Sequence, residues 1–259
     1  MVSLLDYGAG NVRSVVNAIK SLGHDVKFIN TPEDIAEADQ IVFPGVGNFG
    51  QIMKNLAEKG FVEPLREYIL ADRPFFGICL GLQVLFEGSE EAPRVPGLGI
   101  FKGSVKRFDI DLSVPHIGWN GITCRQPSTI FNGLRGKEKF YFVHSYHVVP
   151  EQSDIVLTTT DYGCKFVSSI QKGRLVATQF HPEKSGRGGL KLLNNFLDPS
   201  TRPTLPPESP DTTKLAKRII ACLDVRTNDQ GDLVVTKGDQ YDVREQGEVR
   251  NLGKPVDLA

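Results

Sequence analysis

Short apolar runs and helical stripes alternate along the N-terminal part of the chain, and this alternation restricts the fold more than any other feature. The strand-like runs are Leu4-Leu5, Val26–Ile29 and Ile41-Val42-Phe43. The apolar residues at helical spacing are Val12, Val15, Val16 and Ile19, followed later by Phe49, Ile52, Met53 and Leu56. Thr31-Pro32-Glu33 adds a helix start, because threonine caps helices and proline fits the first turn. Repeated strand–helix units predict an α/β fold, a doubly wound parallel sheet with helices on both faces.

The remainder of the chain divides into three parts. Strand signals in 101–123, 139–149 and 155–180 predict antiparallel additions to the sheet, and Leu190, Leu193 and Leu197 predict a closing helix. Five prolines then fall within 199–210, a composition that favours an extended spacer over packed structure. We therefore expect a first domain over 1–198, a linker over 199–213 and a separate tail over 214–259.

Composition excludes several classes of function. The 259 residues carry a formal net charge of −1, which offers no attraction for nucleic acid or an anionic membrane. We find no apolar run long enough to span a bilayer, and the N-terminus leads directly into a strand without a targeting sequence. The four cysteines have spacings that suit neither a zinc site nor a disulfide framework. We expect no metal and a reducing compartment, the cytoplasm, or the plastid stroma if the source is a plant.

Gly77-Ile78-Cys79-Leu80-Gly81 is the first candidate for chemistry. It follows a strand-like run and precedes the apolar-periodic segment 82–86, so Cys79 should lie on a tight strand-to-helix turn. Flanking glycines would take the strained backbone angles, and a helix N-terminus would favour the reactive thiolate. Because buried cysteines are commonly inert, this motif alone leaves a nucleophile and a core residue equally open.

A nucleophilic thiol needs a base and a group that orients the base, and His181-Pro182-Glu183 can supply both. The other four histidines suit the role less well. His24 lies in a turn, and His116 precedes Gly118-Trp119 in what reads as a loop. His144 and His147 fall in one strand-like segment, where a spacing of three places them on opposite faces. His181 is therefore the best partner for Cys79.

These two motifs resemble the catalytic motifs of class I glutamine amidotransferases. Within that class, three further segments resemble the glutaminase part of the imidazole glycerol phosphate synthase family; they are Phe43-Pro44-Gly45-Val46-Gly47-Asn48-Phe49-Gly50, Pro115-His116-Ile117-Gly118-Trp119-Asn120 and Tyr141-Phe142-Val143-His144-Ser145-Tyr146. The tail from Leu215 to Val225 resembles the first strand of that family's cyclase barrel. Together, the two halves resemble the fused bifunctional form of fungi and plants.

The resemblance implies a role for each matching residue. The catalytic triad would be Cys79, His181 and Glu183. The glutamine pocket would contain Gly47, Gln83, Ser145 and Tyr146. The oxyanion donors would come from Gly45, Val46 and Leu80. The surface facing the cyclase would include Asn11, Trp119 and Asn120.

The resemblance also implies an enzyme of histidine biosynthesis. Glutamine would be hydrolysed to glutamate and ammonia, and the ammonia would pass to a cyclase domain or subunit. That partner makes imidazole glycerol phosphate and AICAR from the ribulosyl nucleotide PRFAR. The tail would carry the cyclase residues Asp224 and Lys237, but its 46 residues are far short of the about 250 in a complete βα-barrel. We expect no cofactor, because Arg13 stands where a dinucleotide-binding turn needs its third glycine.

Alternatives from other classes remain open at this point. A thiol hydrolase or chaperone-like protein could share the cysteine turn without transferring ammonia. An amidotransferase fragment could act only as a glutaminase, or as an inactive partner. For single residues, Gln83 could be an exposed helix residue, Ser145 and Tyr146 strand-end surface, and Trp119 a core residue. The turn at 44–47 could be an ordinary strand end.

Overall fold

The structure, a computed structural model, describes residues 1–6, 12–45 and 47–198, together with the backbone of four short strands between 224 and 249. The chain divides into two compact units, Met1–Pro210 and Asp211–Ala259. Among the described residues, none of the helices combines the length and the apolar character that crossing a bilayer requires.

The strands and helices of the first unit are numbered in chain order. The strands are β1 (Val2–Leu5), β2 (Val26–Ile29), β3 (Gln40–Phe43), β4 (Phe75–Ile78), β5 (Gly103–Arg107), β6 (His116–Asn120), β7 (Thr123–Cys124), β8 (Phe140–His144), β9 (Tyr146–Pro150), β10 (Val156–Tyr162), β11 (Cys164–Lys172) and β12 (Leu175–Thr178). The helices are α1 (Val12–Ser21), α2 (Pro32–Glu37), α3 (Phe49–Glu58), α4 (Val62–Leu70), α5 (Leu80–Gln83) and α6 (Gly186–Leu197). Single 3-10 turns cover Thr129–Phe131 and Pro182–Lys184.

The central sheet has the strand order β2-β1-β3-β4-β12-β11-β10-β7. The neighbours from β2 to β12 run parallel, and the neighbours from β12 to β7 run antiparallel. Two further antiparallel pairs, β5 with β9 and β6 with β8, stand outside this sheet. The prediction of a parallel α/β sheet with antiparallel additions is confirmed.

Helices cover the sheet because their apolar stripes become buried. The residues of α3 that face the core are Phe49, Ile52, Met53 and Leu56, the four residues of the predicted stripe. The start of α2 also agrees with the sequence, since Thr31 accepts from the Asp34 N–H while the Asp34 carboxylate accepts from the Thr31 N–H. Such a reciprocal cap satisfies donors that a helix start otherwise leaves unpaired.

The pairing of β4 with β12 determines where the candidate site lies. These strands are parallel neighbours, with Ile78 opposite Thr178 in the register. Residue 79 and residues 179–181 therefore leave the sheet side by side at its carboxyl edge. In open α/β sheets this edge is where ligands bind.

In the second unit, the structure describes two separate strand pairs. Strand β13 (Asp224–Thr227) runs antiparallel to β14 (Leu233–Thr236), and β15 (Arg244–Glu245) runs antiparallel to β16 (Glu248–Val249). Residues 199–213 and the segment from Lys214 to Leu223, where the first cyclase strand was expected to begin, lie outside the described residues.

Candidate active site

Cys79 lies on the turn between β4 and α5. Its backbone has φ 54° and ψ −103°, a combination that residues with a side chain rarely adopt. Its N–H donates to the Thr178 carbonyl at 2.7 Å, so the end of β12 holds the turn in place. A strained residue on a sharp strand-to-helix turn has the backbone geometry of a nucleophile elbow.

The glycines around Cys79 allow close packing. A Cβ on Gly77 would lie 2.4 Å from the Gly81 oxygen, and a Cβ on Gly45 would lie 2.4 Å from the Gly81 nitrogen. A Cβ on Gly81 would in turn lie 2.4 Å from the Phe43 oxygen. Neither Gly77 nor Gly81 has a positive φ, so the expectation that they take the strained angles is wrong. The strained backbone angles are those of Cys79, and the glycines allow the cysteine turn to pack directly against the turn after β3.

Helix α5 is shorter than the apolar periodicity predicted. It ends at Gln83, and the N–H groups of Leu85 and Phe86 donate to carbonyls three residues back, both at 3.2 Å, and not four residues back as in an α-helix. The Leu98 N–H donates to the Val84 carbonyl at 2.7 Å, and the Gly99 N–H donates to the Phe86 carbonyl at 3.2 Å. The predicted continuation through residue 86 is therefore wrong. A helix of one turn also adds little macrodipole to the electrostatics of the thiol.

His181 and Glu183 follow β12 and form a buried pair. The His181 Nδ1 lies 2.8 Å from the Glu183 Oε1, and the two side chains are 1% and 3% exposed. The Ser185 hydroxyl donates to the His181 carbonyl at 2.6 Å, and the His181 N–H donates to the Tyr141 carbonyl at 2.9 Å. Hydrogen bonds thus hold both the ring and the backbone of His181, the kind of orientation that a catalytic triad gives its base.

The charges around His181 keep its ring protonated. Burial lowers the pKa of His181, but interactions with Cys79 and then with Glu183 outweigh burial and raise it to about 9. Its Nε2 is buried and has no hydrogen-bond partner among the described residues, so this nitrogen is free to serve Cys79. The arrangement suits a proton donor at neutral pH.

Two buried glutamines lie beside the thiol. Gln83 is 2% exposed, which excludes the interpretation as an exposed helix residue. Its Nε2 donates to the Tyr146 carbonyl and to the Gln179 Oε1, both at 3.1 Å. The Gln179 Nε2 in turn lies 3.5 Å from the Cys79 Sγ. Sequence reasoning missed Gln179, although an amide side chain within the apolar run 175–180 was a signal for it.

The other predicted pocket residues lie at strand ends. Tyr146 begins β9, is half-buried and contacts Gln83 through its carbonyl. Ser145 lies between β8 and β9, and its carbonyl accepts from the Phe108 N–H at 3.0 Å. Gly47 is exposed on the turn after β3, with φ 116°. The structure therefore brings Gln83 and Tyr146 into direct contact, with Ser145 next in the chain.

The predicted oxyanion donors are only partly described. The Leu80 N–H points at the Gly45 carbonyl, with 3.4 Å between nitrogen and oxygen. This contact joins the cysteine turn to the turn after β3. Val46 lies outside the described residues.

Three histidines that were set aside as catalytic candidates occur together in an aromatic cluster. His116 does not lie in a loop as expected, because it begins β6 and is buried, stacked on Tyr162 and Phe142 with centroids 3.9 and 4.9 Å away. His144 and His147 do not occupy opposite faces of one strand, because Ser145 separates β8 from β9. Both rings instead contact Phe108, at 5.2 and 4.8 Å.

None of these three rings has a hydrogen-bonded carboxylate like that of His181, and the charges that act on His147, from Glu90 and Lys106, oppose each other. Burial lowers the pKa of His116 to about 4 and that of His144 to about 3, and it also lowers the pKa of His147. The His116 Nδ1 and His144 Nε2 lie 3.3 Å apart, so one neutral ring donates to the other. Among the described residues, no three histidine, cysteine or acidic side chains are placed to hold a metal ion.

Two of the predicted partner-facing residues, Trp119 and Asn120, lie on β6 and not in a loop. Trp119 is 40% exposed and meets Tyr141 edge-on at 6.0 Å, which excludes the core interpretation. The Asn120 Nδ2 donates to the Asp161 carbonyl at 2.9 Å. Asn11 and Lys237 lie outside the described residues, and only the backbone of Asp224 is described.

Comparison with known proteins identifies the family. The family described as glutamine amidotransferase class-I matches residues 3–199, which include the cysteine turn and the His181–Glu183 pair. This chain belongs to the class-I glutamine amidotransferase family. Two solved structures agree with the amidotransferase fold: a glutamine amidotransferase (TM-score 0.58, 23% identity) and PurLQS from Thermotoga maritima (TM-score 0.60, 16% identity). Each covers 76% of this chain and 96% of its own, and at these identities the likeness concerns the fold.

Three curated relatives of this amidotransferase carry the name imidazole glycerol phosphate synthase. The chloroplastic imidazole glycerol phosphate synthase hisHF of Arabidopsis thaliana is 56% identical over all of this chain and 45% of its own length. The hisHF protein of Schizosaccharomyces pombe is 53% identical over all of this chain and 50% of its own. The HisH subunit of Aquifex aeolicus is 50% identical over 74% of this chain and 94% of its own. The chain spans about half the length of the fused relatives.

Proposed function

We propose that this chain is the glutaminase part of an imidazole glycerol phosphate synthase. It hydrolyses glutamine to glutamate and ammonia, and the ammonia serves a cyclase that converts PRFAR to imidazole glycerol phosphate and AICAR in histidine biosynthesis. The observation that carries the proposal is the buried His181–Glu183 pair, 2.8 Å between Nδ1 and Oε1, whose ring interacts with a cysteine on a strained turn. The relatives named imidazole glycerol phosphate synthase support this choice within the family.

The first chemical step is attack of the Cys79 thiolate, whose proton is held on the His181 ring, on the side-chain amide carbon of glutamine. Negative charge then develops on the amide oxygen and needs N–H donors. Leu80 follows the nucleophile directly, and its N–H has only a weak contact of 3.4 Å with the Gly45 carbonyl, so the oxyanion can compete for it. Gly45 and Val46, on the turn against the elbow, are the proposed second source.

Collapse of that intermediate requires a proton on the departing nitrogen. His181, whose pKa is raised to about 9, holds this proton at neutral pH and delivers it, so ammonia leaves and a thioester remains on Cys79. The ring, now neutral, takes a proton from water as the water attacks the thioester. Glutamate is released and the sulfur leaves as a thiolate beside the protonated ring, which restores the starting state, while Glu183 keeps the ring oriented throughout.

The amino-acid end of glutamine is proposed to contact Gly47, Gln83, Ser145 and Tyr146. The Oε1 of Gln83 is buried without a hydrogen-bond partner among the described residues, so it can accept from the substrate ammonium. An unpaired buried acceptor is costly, which means that a substrate donor there is worth more than one at an exposed site.

The cyclase partner is proposed to bind at the exposed face of β6. Ile117 and Trp119 are 60% and 40% exposed on this strand, and large apolar side chains of this kind anchor protein interfaces. Asn11 and Asn120 are proposed to border the surface. The tail 214–259, after a linker over 199–213, is proposed to be the start of a cyclase barrel, with Asp224 and Lys237 as its functional residues. The compartment is proposed to be the cytoplasm or a plastid.

Glutamate release from the full chain tests the proposal. Glutamine hydrolysis is measured alone and with a separately purified cyclase and PRFAR, using a coupled glutamate dehydrogenase assay. We expect Cys79→Ser to lower the rate by about 10³-fold or more, because triad members act as a unit. Cys164→Ser is the matched control, since Cys164 is a half-buried cysteine outside the site, and it should keep full activity.

Three outcomes would contradict parts of the proposal. Activity retained in Cys79→Ser would exclude the nucleophile. Absence of glutaminase activity in every mixture, with the wild-type chain folded, would leave an inactive partner or another thiol enzyme as the function. Glutaminase activity that PRFAR and cyclase leave unchanged would show a glutaminase without the proposed coupling.

A further inference from the structure

A continuous hydrogen-bonded chain joins a backbone carbonyl to the sulfur of Cys79. The Tyr146 carbonyl accepts from the Gln83 Nε2 at 3.1 Å, and the same nitrogen donates to the Gln179 Oε1 at 3.1 Å. The Gln179 Nε2 then reaches the Cys79 Sγ at 3.5 Å. Gln83 is 2% exposed and Gln179 is 0% exposed, so water does not compete for these bonds.

The Tyr146 carbonyl, where this series of hydrogen bonds begins, determines which group donates at each step. A backbone carbonyl can only accept, so Gln83 must turn its NH₂ group toward Tyr146. That NH₂ group also faces Gln179, which must therefore present its oxygen to Gln83. The NH₂ group of Gln179 is left pointing at the sulfur. One acceptor thus determines the orientation of both amides.

A second donor holds the same carbonyl. The His144 Nδ1 lies 2.8 Å from the Tyr146 oxygen, which has two lone pairs and can accept from both side chains. Burial lowers the pKa of His144 to about 3, so its ring is neutral with the proton on Nδ1. Its Nε2 is then the acceptor for His116, 3.3 Å away. The carbonyl is fixed from two sides.

We propose that Gln179 is a positioning residue for Cys79, with its amide N–H holding the sulfur and favouring the charged form, and with Gln83 setting its direction. This inference rests on the proposed role of Cys79 as the nucleophile. A thiolate is a much better acceptor than a thiol, so a fixed donor at the sulfur favours ionisation. Gln179 acts on the sulfur alone and transfers no proton.

The test is the pH dependence of Cys79 alkylation by iodoacetamide in the full chain, followed by peptide mass spectrometry. Gln179→Met keeps the size of the side chain and removes the donor. We expect the pH of half-maximal alkylation to rise by about one unit and the rate near pH 7 to fall by about tenfold. Gln179→Glu, with a carboxylate of the same shape, should shift the pH at least as far.

Controls separate this effect from a loss of packing. Gln171→Met removes another half-buried amide from β11 and should leave the alkylation profile of Cys79 unchanged. Alkylation of Cys164 in the same samples provides an internal reference. Gln83→Leu removes the group that orients Gln179, so it should shift the profile in the same direction but less, without altering Gln179 itself.

The outcomes distinguish this inference from the proposed function. An unchanged pH profile in folded Gln179→Met or Gln179→Glu would overturn the inference. If Gln179 variants fail to fold, Gln83→Leu decides, because an unchanged profile there overturns it equally. A shifted profile in a chain that hydrolyses no glutamine would uphold the positioning role and reject the glutaminase. In an active enzyme, we expect Gln179→Met to lower kcat by about tenfold and to leave KM within about threefold.

Discussion

His181 and the pair His116–His144 show how two environments shift the pKa of the same side chain in opposite directions. All three rings are buried. His181 has a carboxylate at 2.8 Å and a cysteine beside it, and its pKa is raised to about 9. His116 and His144 have aromatic neighbours and each other, and their pKa values fall to about 4 and about 3.

Burial therefore does not decide the charge of a histidine by itself. It lowers the pKa at all three positions, and only the opposite charges around His181 reverse the sign. One region can move protons at neutral pH, and the other supplies neutral hydrogen bonds and packing. Substitutions of the histidines and of the carboxylate beside His181 test this difference between the two regions.

The largest expected effect follows loss of the charged ring. His181→Ala should lower glutamine hydrolysis by about 10³-fold or more, nearly as much as loss of Cys79, because the residues of a triad act together. Steady-state glutamate release measures it. His147→Ala is the matched control from the aromatic cluster, and we expect less than about a threefold change. If His147→Ala proved as damaging with the fold intact, the choice of base would be wrong.

The second effect tests the carboxylate that orients the base. Glu183→Gln keeps the shape but removes the charge, so it should lower kcat by about 10² to 10⁴-fold. It should also lower the pKa of His181, because one of the two groups that raise it is gone. The ¹⁵N shifts of the ring, followed by NMR through a pH titration, report this directly. A titration identical to wild type would show that Glu183 does not act on the ring.

The smallest effect concerns stability in the neutral region. His116→Phe keeps the stacking on Tyr162 and Phe142, but it removes a donor to His144, so we expect a loss of about 1–2 kcal/mol at pH 7. Below pH 6.5 the unfolded chain binds a proton at His116, whereas the folded chain, with a pKa of about 4, does not. The free energy of unfolding therefore falls as the pH is lowered, and each histidine that the fold keeps neutral makes this fall steeper.

Between pH 6 and pH 5, the free energy of unfolding of His116→Phe should fall by about 1 kcal/mol less than that of the wild type. Urea unfolding at both pH values measures this, and comparison with wild type removes the contribution of the carboxylates that titrate in both proteins. An equal slope in the two proteins would mean that His116 is not held neutral in the fold.

Local sequence patterns predicted most of the elements. The stripe at Phe49 and Leu56 packs as expected, and Thr31 caps α2 by the bonds its side chain allows. Periodicity failed at α5, because the N–H groups of Leu85 and Phe86 donate three residues back and form a turn. The carbonyls of Val84 and Phe86 then pair with the loop around Leu98, a tertiary contact that the local pattern does not contain.

The candidate triad could be selected from sequence because each member stands in a short motif. Cys79 lies between two glycines, and His181 stands two positions before Glu183. Gln179 stands in no such motif, and its bond to the sulfur exists only because β12 lies beside β4. His116 was misplaced for a similar reason, since its strand forms by pairing with β8.

The sequence by itself determined the strand–helix alternation, the cap at Thr31 and the residues able to act as nucleophile, base and orienting acid, since these depend on residue type and short spacing. The tertiary structure alone decided which ring is charged and which amide faces the sulfur. Both depend on groups far apart in the sequence, such as Gln83, Tyr146 and Gln179, that the sheet brings within hydrogen-bond distance. Electrostatic and hydrogen-bond energies depend on the distances between atoms, and the order of residues does not give those distances.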